Sequence, residues 1–269
     1  MWVAAAAILP PGSGMTTRIH QTTHSEQAVP AGRRIVLEFH AGGEAVPGIL
    51  LLPREPVPAP GVLLLHGYSS RKEHVAEGVG GPLLRHGIAS LSIDLPLHGT
   101  RADPLQAQAA RNPLAIVGVW RTALKECRLA LGYLRARPEI DRECTAVAGY
   151  SLGSFLAVMA AADDPAVRAV VLAAGGDLPA GTPLSAVARA VADPVRAVRK
   201  LRGRPLLMVH GTGDRTMTPE QAQRLFDAAA EPKELKWWNA GHILPPPAID
   251  YAAEWLRARL RSAGQRAAG

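Results

Sequence analysis

Cysteine is scarce in this chain: there are two in 269 residues, Cys127 and Cys144. Neither stands in a metal-ligand spacing or near a partner in sequence, so a thiolate metal site is excluded. The pair reads as two buried thiols in a reducing compartment, with a disulfide between them left open. Long apolar runs are missing as well. The segment Val3 to Leu9 is short, lacks a basic stretch before it, and falls far below membrane-spanning length. No later stretch reaches that length, so a soluble, cytoplasmic protein without a membrane partner is expected. Secretion by a weak amino-terminal signal and a start at Met15 are the alternatives. Clustered charge is the third absence. The net charge is +7, from 30 Lys and Arg against 23 Asp and Glu, yet no run of five basic residues occurs. Scattered arginine in an Ala- and Pro-rich chain fits a coding bias better than a nucleic-acid surface, and nucleic acid is excluded as a partner. Internal repeats and domain linkers are also lacking.

What is present is an ordinary globular composition, 48% hydrophobic and 20% charged. The length suits one large α/β domain with a sizeable core. Residues 1–31 are polar, broken by Pro and Gly, and expected to be loose, as is the tail 263–269. Arg33–Phe39 and Ala45–Leu52 read as two strands around His40-Ala41-Gly42-Gly43. Gly61–Leu65, Ile88–Ile93, Glu143–Gly149, Val167–Ala173, Pro205–Val209 and Glu234–Trp238 read as strands. The continuous apolar runs among them are expected of strands buried on both faces. Helical patterns lie between them at Val75–His86, Asn112–Arg137, Ser151–Ala162, Pro219–Ala229 and Ile249–Arg261. The connection 175–202 carries two short helical patterns, near Leu184–Val191 and Pro194–Leu201. Strands alternating with helices predict a mostly parallel central sheet with helices on both faces.

The chemistry concentrates at Gly149-Tyr150-Ser151-Leu152-Gly153, a G-x-S-x-G motif between a predicted strand and a predicted helix. In that context the motif predicts a sharp turn that lifts the Ser151 hydroxyl off the strand end, with a helix N-terminus beneath it. Side chains at 149 and 153 would collide with the neighbouring helix and strand. An alcohol at its ordinary pKa is a poor nucleophile and needs a base, which in turn needs an orienting acid. In chain order Ser, acid, His, the base is His242, after the last strand. Asp214, in His210-Gly211-Thr212-Gly213-Asp214, is the expected acid, and Asp177, one strand upstream, is the alternative. His66 and His210 directly follow buried strands and read as hydrogen-bonding turn residues; His98 reads as a supporting group. A tetrahedral oxyanion needs two N–H donors. The Leu152 amide is one expected donor, and the Tyr68 amide, beside Gly67 in the loop after Gly61–Leu65, is the other.

Taken together, Gly149-Tyr150-Ser151-Leu152-Gly153, His66-Gly67-Tyr68, Asp94-x-Pro-x-His98-Gly99, His210-Gly211 with Asp214, and Gly241-His242 resemble the α/β-hydrolase superfamily. The chain looks most similar to small bacterial carboxylesterases of the dienelactone hydrolase and prolyl-oligopeptidase branches. The resemblance implies an α/β-hydrolase fold over 32–262, with 175–202 as a small cap-like insertion. Dienelactone hydrolases use a cysteine nucleophile, so Ser151 argues against that reaction. The expected activity is hydrolysis of short-chain acyl esters, a small-molecule substrate, with neither metal nor organic cofactor. A thioesterase or amidase with the same three residues, and a non-catalytic binding protein on the same scaffold, are the alternatives.

Overall fold

The computed structural model describes residues 7–8, 19–40, 43–55, 57–103, 112–179, 189 and 192–260. Ten strands form one sheet: β1 (Ala7–Ile8), β2 (Ile19–Val29), β3 (Gly32–His40), β4 (Val46–Pro53), β5 (Ala59–Leu65), β6 (Ala89–Ile93), β7 (Ile140–Tyr150), β8 (Val167–Ala173), β9 (Leu206–Gly211) and β10 (Lys233–Trp238). Their order in space is β1-β2-β3-β4-β6-β5-β7-β8-β9-β10. The first four pair antiparallel, β4 meets β6 antiparallel, and every pairing from β6 to β10 is parallel. The helices among the described residues are α1 (Lys72–Val75), α2 (Gly81–Arg85), α3 (Pro113–Ala136), α4 (Leu152–Asp163), α5 (Pro194–Arg199), α6 (Pro219–Ala228) and α7 (Pro246–Arg259). A turn of π-helix, Ala76–Gly80, joins α1 to α2, so the helix expected over Val75–His86 starts three residues early and is interrupted.

The continuous apolar runs serve two cores, one on each face of the sheet. In β5, Leu63 and Leu65 point to the face covered by α3 and α4, while Val62 and Leu64 point to the face covered by α2 and α7. The alternation repeats in β9, with Leu206 and Met208 on one side and Leu207 and Val209 on the other. Successive strand residues face opposite ways, so a strand covered on both faces must be apolar throughout. Helix α4 is buried along most of its length and consists largely of small residues, which lets it lie close against the sheet.

The amino-terminal expectation needs correction. Residues 19–29 are not loose: β2 runs antiparallel along β3 from His20–His40 to Val29–Gly32. Its side chains are mostly polar and its exposure alternates, so no apolar period marks it. Gln21 ties it to α3, accepting hydrogen bonds from the Tyr133 hydroxyl at 2.6 Å and Arg137 at 3.1 Å. In the connection 175–202, the second short helix forms as α5, and the first pattern lies outside the described residues apart from Arg189. Helix α5 packs on α4 and α6, burying Ala197 and Val198. The tail 263–269 also lies outside the described residues. Cys127 and Cys144 are both free and buried. No helix among the described residues is long and apolar enough to cross a membrane.

Arg204 closes the carboxyl end of α4. Its guanidinium donates to the carbonyls of Ala161, Asp164 and Val167 at 2.7, 2.8 and 3.2 Å, and to Leu201 at 2.9 Å. A second cation is buried at the opposite end of the sheet. Lys72 donates through Nζ to Asp94 at 2.7 Å and to Glu73 at 2.9 Å, and its amide also reaches Asp94 at 2.9 Å. The Thr100 amide and hydroxyl complete the Asp94 carboxylate at 3.0 and 2.9 Å. This cluster fastens α1 to the loop that follows β6.

Burial works against ionisation of Asp94, but the Lys72 side chain and amide and the Thr100 amide outweigh it, so the carboxyl lies below its ordinary value of 3.8. A depressed carboxyl contributes stability above its unfolded pKa and loses it as pH falls through the folded value. Lys72→Met should therefore cost about 3–5 kcal/mol at neutral pH, the range for stranding a buried charge. The gap to wild type should narrow as pH falls through the ordinary carboxylate range and close only below the lowered wild-type value, where Asp94 is protonated in both proteins. Denaturant unfolding of both proteins at neutral and acid pH checks this, and an equal gap at the two would contradict it.

Candidate active site

Ser151 stands between β7 and α4 with φ 51 and ψ −113, a left-handed conformation that costs a non-glycine residue about 1–3 kcal/mol. The surroundings hold it there. Its amide donates to the Ala173 carbonyl at 2.9 Å, and its own carbonyl accepts from the Ser154 amide at 2.9 Å and hydroxyl at 2.6 Å. The expected collisions at the flanking glycines are real. A Cβ at Gly149 would sit 2.1 Å from the Gly153 carbonyl oxygen, and one at Gly153 would sit 2.1 Å from the Leu65 carbonyl oxygen. The backbones of β5, β7 and α4 thus touch where side chains would otherwise stand.

Asp214 follows β9 and His242 follows β10, so both lie on loops at the carboxyl ends of parallel strands, as Ser151 does. The three are hydrogen-bonded in series. His242 Nε2 lies 3.0 Å from Ser151 Oγ, and His242 Nδ1 lies 2.8 Å from Asp214 Oδ2. The Asp214 side chain is fully buried, while that of His242 is 23% exposed. The other Asp214 oxygen accepts the Thr216 and Met217 amides at 2.8 and 3.0 Å, which orients the carboxylate. With Asp214 accepting, Nδ1 of His242 is the protonated nitrogen and Nε2 is free to accept from the serine hydroxyl.

Asp177 is occupied elsewhere. It pairs with Arg189 at 2.8 Å and Arg224 at 3.4 Å, and it accepts the Leu178 amide at 2.8 Å. Those contacts fasten the segment after β8 to α6, and the bond from His242 goes to Asp214.

His66, just after β5, and His210, which the structure places inside the end of β9 rather than after it, both act as hydrogen-bonding groups. His66 Nε2 accepts the Leu95 amide at 3.1 Å, so its Nδ1 carries the proton and donates to the Gly67 carbonyl at 2.8 Å. Burial, the largest influence, holds the His66 imidazole below its ordinary pKa, which keeps it neutral and in that role. The Ser70 amide reaches the same carbonyl at 3.2 Å. In a trans peptide the N–H points opposite to the C=O, so the Tyr68 amide faces away from these partners. His210, likewise lowered chiefly by burial, contacts the Met217 carbonyl through Nε2 at 2.8 Å. His98 supports the loop from the side, its ring 5.2 Å from His66 and edge-on to Tyr68 at 5.4 Å. Leu152 is the first residue of α4, so its amide is one of the donors that a helix leaves unpaired at its start.

A methyl group at Gly67 would lie 3.4 Å from Ser151 Cβ, which places the loop carrying Tyr68 directly against the serine. Tyr68 and Ile243 are each 78% exposed, two large apolar side chains open to solvent beside Ser151 and His242. Among the described residues no group of three or more His, Cys, Asp or Glu could hold a metal ion. One participant escaped the sequence reading: the Tyr150 hydroxyl, which bonds to the main chain on both sides of Ile243.

Comparison with known proteins places this geometry in a wider group. The chain is similar in structure to a cold-adapted esterase from an Arctic intertidal metagenomic library, at 20% identity over 88% of this chain and 98% of that one, with a TM-score of 0.68. It is also similar to acetyl xylan esterase 1 from Thermoanaerobacterium sp. JW/SL YS485, at 17% identity over 90% and 88% of the two chains, with a TM-score of 0.74. At such identities the likeness establishes the fold. Among curated proteins, polyketide transferase ATR5 of Stachybotrys chlorohalonatus is 27% identical over 115 residues, which is 43% of this chain and 36% of that protein. A model described as the alpha/beta hydrolase family matches residues 62–258, the span that holds Ser151, Asp214 and His242, and the chain belongs to that family.

Proposed function

We propose that this protein is a serine carboxylesterase acting on short-chain acyl esters. The observation that carries the reading is the series Ser151, His242, Asp214, with contacts of 3.0 and 2.8 Å and the carboxylate fully buried. In this reading Ser151 Oγ attacks the ester carbonyl carbon while His242 Nε2 takes the hydroxyl proton. Asp214 holds the tautomer and balances the imidazolium that forms. The carbonyl oxygen becomes an anion and rests on the Leu152 and Tyr68 amides. The positive end of α4 favours that charge, and the fixed Gly67–Tyr68 peptide spares reorganisation. The tetrahedral species collapses, the carbon–oxygen bond to the alcohol breaks, and His242 returns the proton to the leaving oxygen. Water then attacks the acyl-serine by the same route and releases the acid. The structural relatives named as esterases support the choice of ester over other acyl compounds.

Ser151→Ala should leave the fold intact and lower hydrolysis of a nitrophenyl ester on the order of 10⁴-fold. A fluorophosphonate should label the wild-type protein at Ser151 and spare the variant. Near-wild-type turnover in the folded variant would sink the mechanism.

Asp214→Asn should reduce kcat by roughly 10³- to 10⁴-fold, since the amide can favour the wrong imidazole tautomer. Asp177→Asn should act on stability, because it weakens the pairing with Arg189 and Arg224, and should leave kcat close to wild type. Steady-state rates and melting curves of the two variants decide it; a larger kcat loss at Asp177 would move the acid one strand upstream.

Among the described residues, α5 packs down on α4 and α6, and Tyr68 and Ile243 stand open to solvent, which supports a small site. kcat/KM across a nitrophenyl ester series should peak at roughly two to six acyl carbons, the length a small-ligand pocket accommodates. The rate should not jump when substrate passes its solubility limit. A maximum at dodecanoate or longer, or a sharp rise at the emulsion point, would indicate a lipase-type site.

A further inference from the structure

Tyr150 sits between Gly149 and Ser151, yet its side chain serves a different loop. The phenol donates to the His242 carbonyl at 2.5 Å and accepts the Leu244 amide at 3.0 Å. One hydroxyl therefore grips the main chain on both sides of Ile243. The ring lies edge-on to the His242 imidazole, centroids 6.0 Å apart at 76°. A methyl group added at Gly67 would touch the Tyr150 ring at 3.7 Å, so the same side chain also abuts the loop after β5.

Apart from Tyr150, the segment from Gly241 to Leu244 is held by the Leu244 side chain, which is buried in the core beside α7. Before it, the Ala240 carbonyl accepts the Gly213 amide at 2.9 Å; after it, α7 begins at Pro246. From Gly241 to Leu244, among the described residues, the main chain's hydrogen bonds are the two to Tyr150, and the Pro245 carbonyl then accepts the Ala248 amide at 2.9 Å. The His242 side chain contacts Asp214 and Ser151, but a side chain reaches its partners only as well as its Cα is placed. The Ile243 side chain is exposed and adds little packing.

We propose that Tyr150 is a positioning residue for His242, clamping its backbone to the residue that precedes Ser151 so that base and nucleophile move as one unit. The clamp is geometric. Tyr150 precedes Ser151 in the chain, and Ser151 is locked by the Ala173 and Ser154 contacts. The hydroxyl carries that reference frame across to the base. Burial, the largest influence, raises the phenol above its ordinary pKa, and the nearby Asp214 charge adds to the rise, so the hydroxyl keeps the proton it donates. The inference rests on the esterase reading and adds a residue that acts through the placement of His242.

The test is Tyr150→Phe, which keeps the ring and removes only the hydroxyl. A small displacement of a base costs catalysis steeply, so kcat for a nitrophenyl acetate should fall roughly 10- to 100-fold while KM stays near wild type. Rates are referred to sites counted by exhaustive fluorophosphonate labelling, so partial unfolding does not count toward the loss. Proton NMR gives a second readout: the low-field resonance of His242 Nδ1–H, sharp in wild type, should broaden in Tyr150→Phe. A purely structural tyrosine would lower the melting temperature and leave both kcat per labelled site and that resonance unchanged, and this result would overturn the proposal. Wild-type protein that neither reacts with the fluorophosphonate nor hydrolyses esters would overturn the esterase reading instead. An active wild type with an equally active Tyr150→Phe would overturn only the clamp.

Discussion

Everything near Ser151 depends on backbone meeting backbone. The carbonyl oxygens of Gly153 and Leu65 occupy the places where side chains at 149 and 153 would begin. That closeness brings the end of β5 under the start of α4 and lays the Gly67 loop against the serine. It also leaves Ser151 no relaxed conformation, because its amide and carbonyl are both committed. Strain of this kind persists when neighbouring contacts over-determine it. The parallel strands then do the remaining work of assembly. Asp214 and His242 sit on loops at the same end of adjacent strands, β9 and β10, so the sheet delivers them to the serine without any long excursion of the chain.

Polar groups in this region are fixed by partners outside the series Ser151, His242 and Asp214. His66 spends both ring nitrogens on main chain, one on Leu95 and one on Gly67. Asp94 spends its carboxylate on Lys72 and Thr100, which secures the loop that His66 leans on. Arg101 continues the scaffold outward, with a bidentate pair to Glu126 of α3 at 2.6 and 2.8 Å. Each loop around the serine is thus anchored by a buried or half-buried ionic or imidazole contact rather than by apolar packing alone. Such contacts specify direction better than they add stability, since desolvation offsets much of their attraction.

The central strands and most helices were legible because their patterns are local and strong. A run such as Gly61–Leu65 has few ways to be satisfied except between two cores. The serine turn was legible because glycine is required at two fixed offsets from it. Strand β2 was not, since its side chains are Thr, Gln, His, Ser and Glu, and its pairing with β3 is a long-range matter that composition does not announce. The choice between Asp177 and Asp214 stayed open for the same reason. Both follow strands, and what separates them is that Arg189 and Arg224 surround one while His242 reaches the other. Nothing local marks Lys72 beside Arg71, and its burial depends on an aspartate 22 residues away. Tyr150 read as the variable position of a motif, because the partners of its hydroxyl lie more than 90 residues downstream.

Arg204 gives helix α4 a polarity that reaches past local capping. Aligned peptide groups leave the amide end of a helix electropositive and the carbonyl end electronegative. Here the electronegative end is met by a guanidinium that collects the carbonyls of Ala161, Asp164 and Val167, one turn from where the helix stops. The opposite end opens directly beneath Ser151. The helix therefore behaves as an electrical lead earthed at its far terminal, with its other pole presented to the Ser151 hydroxyl.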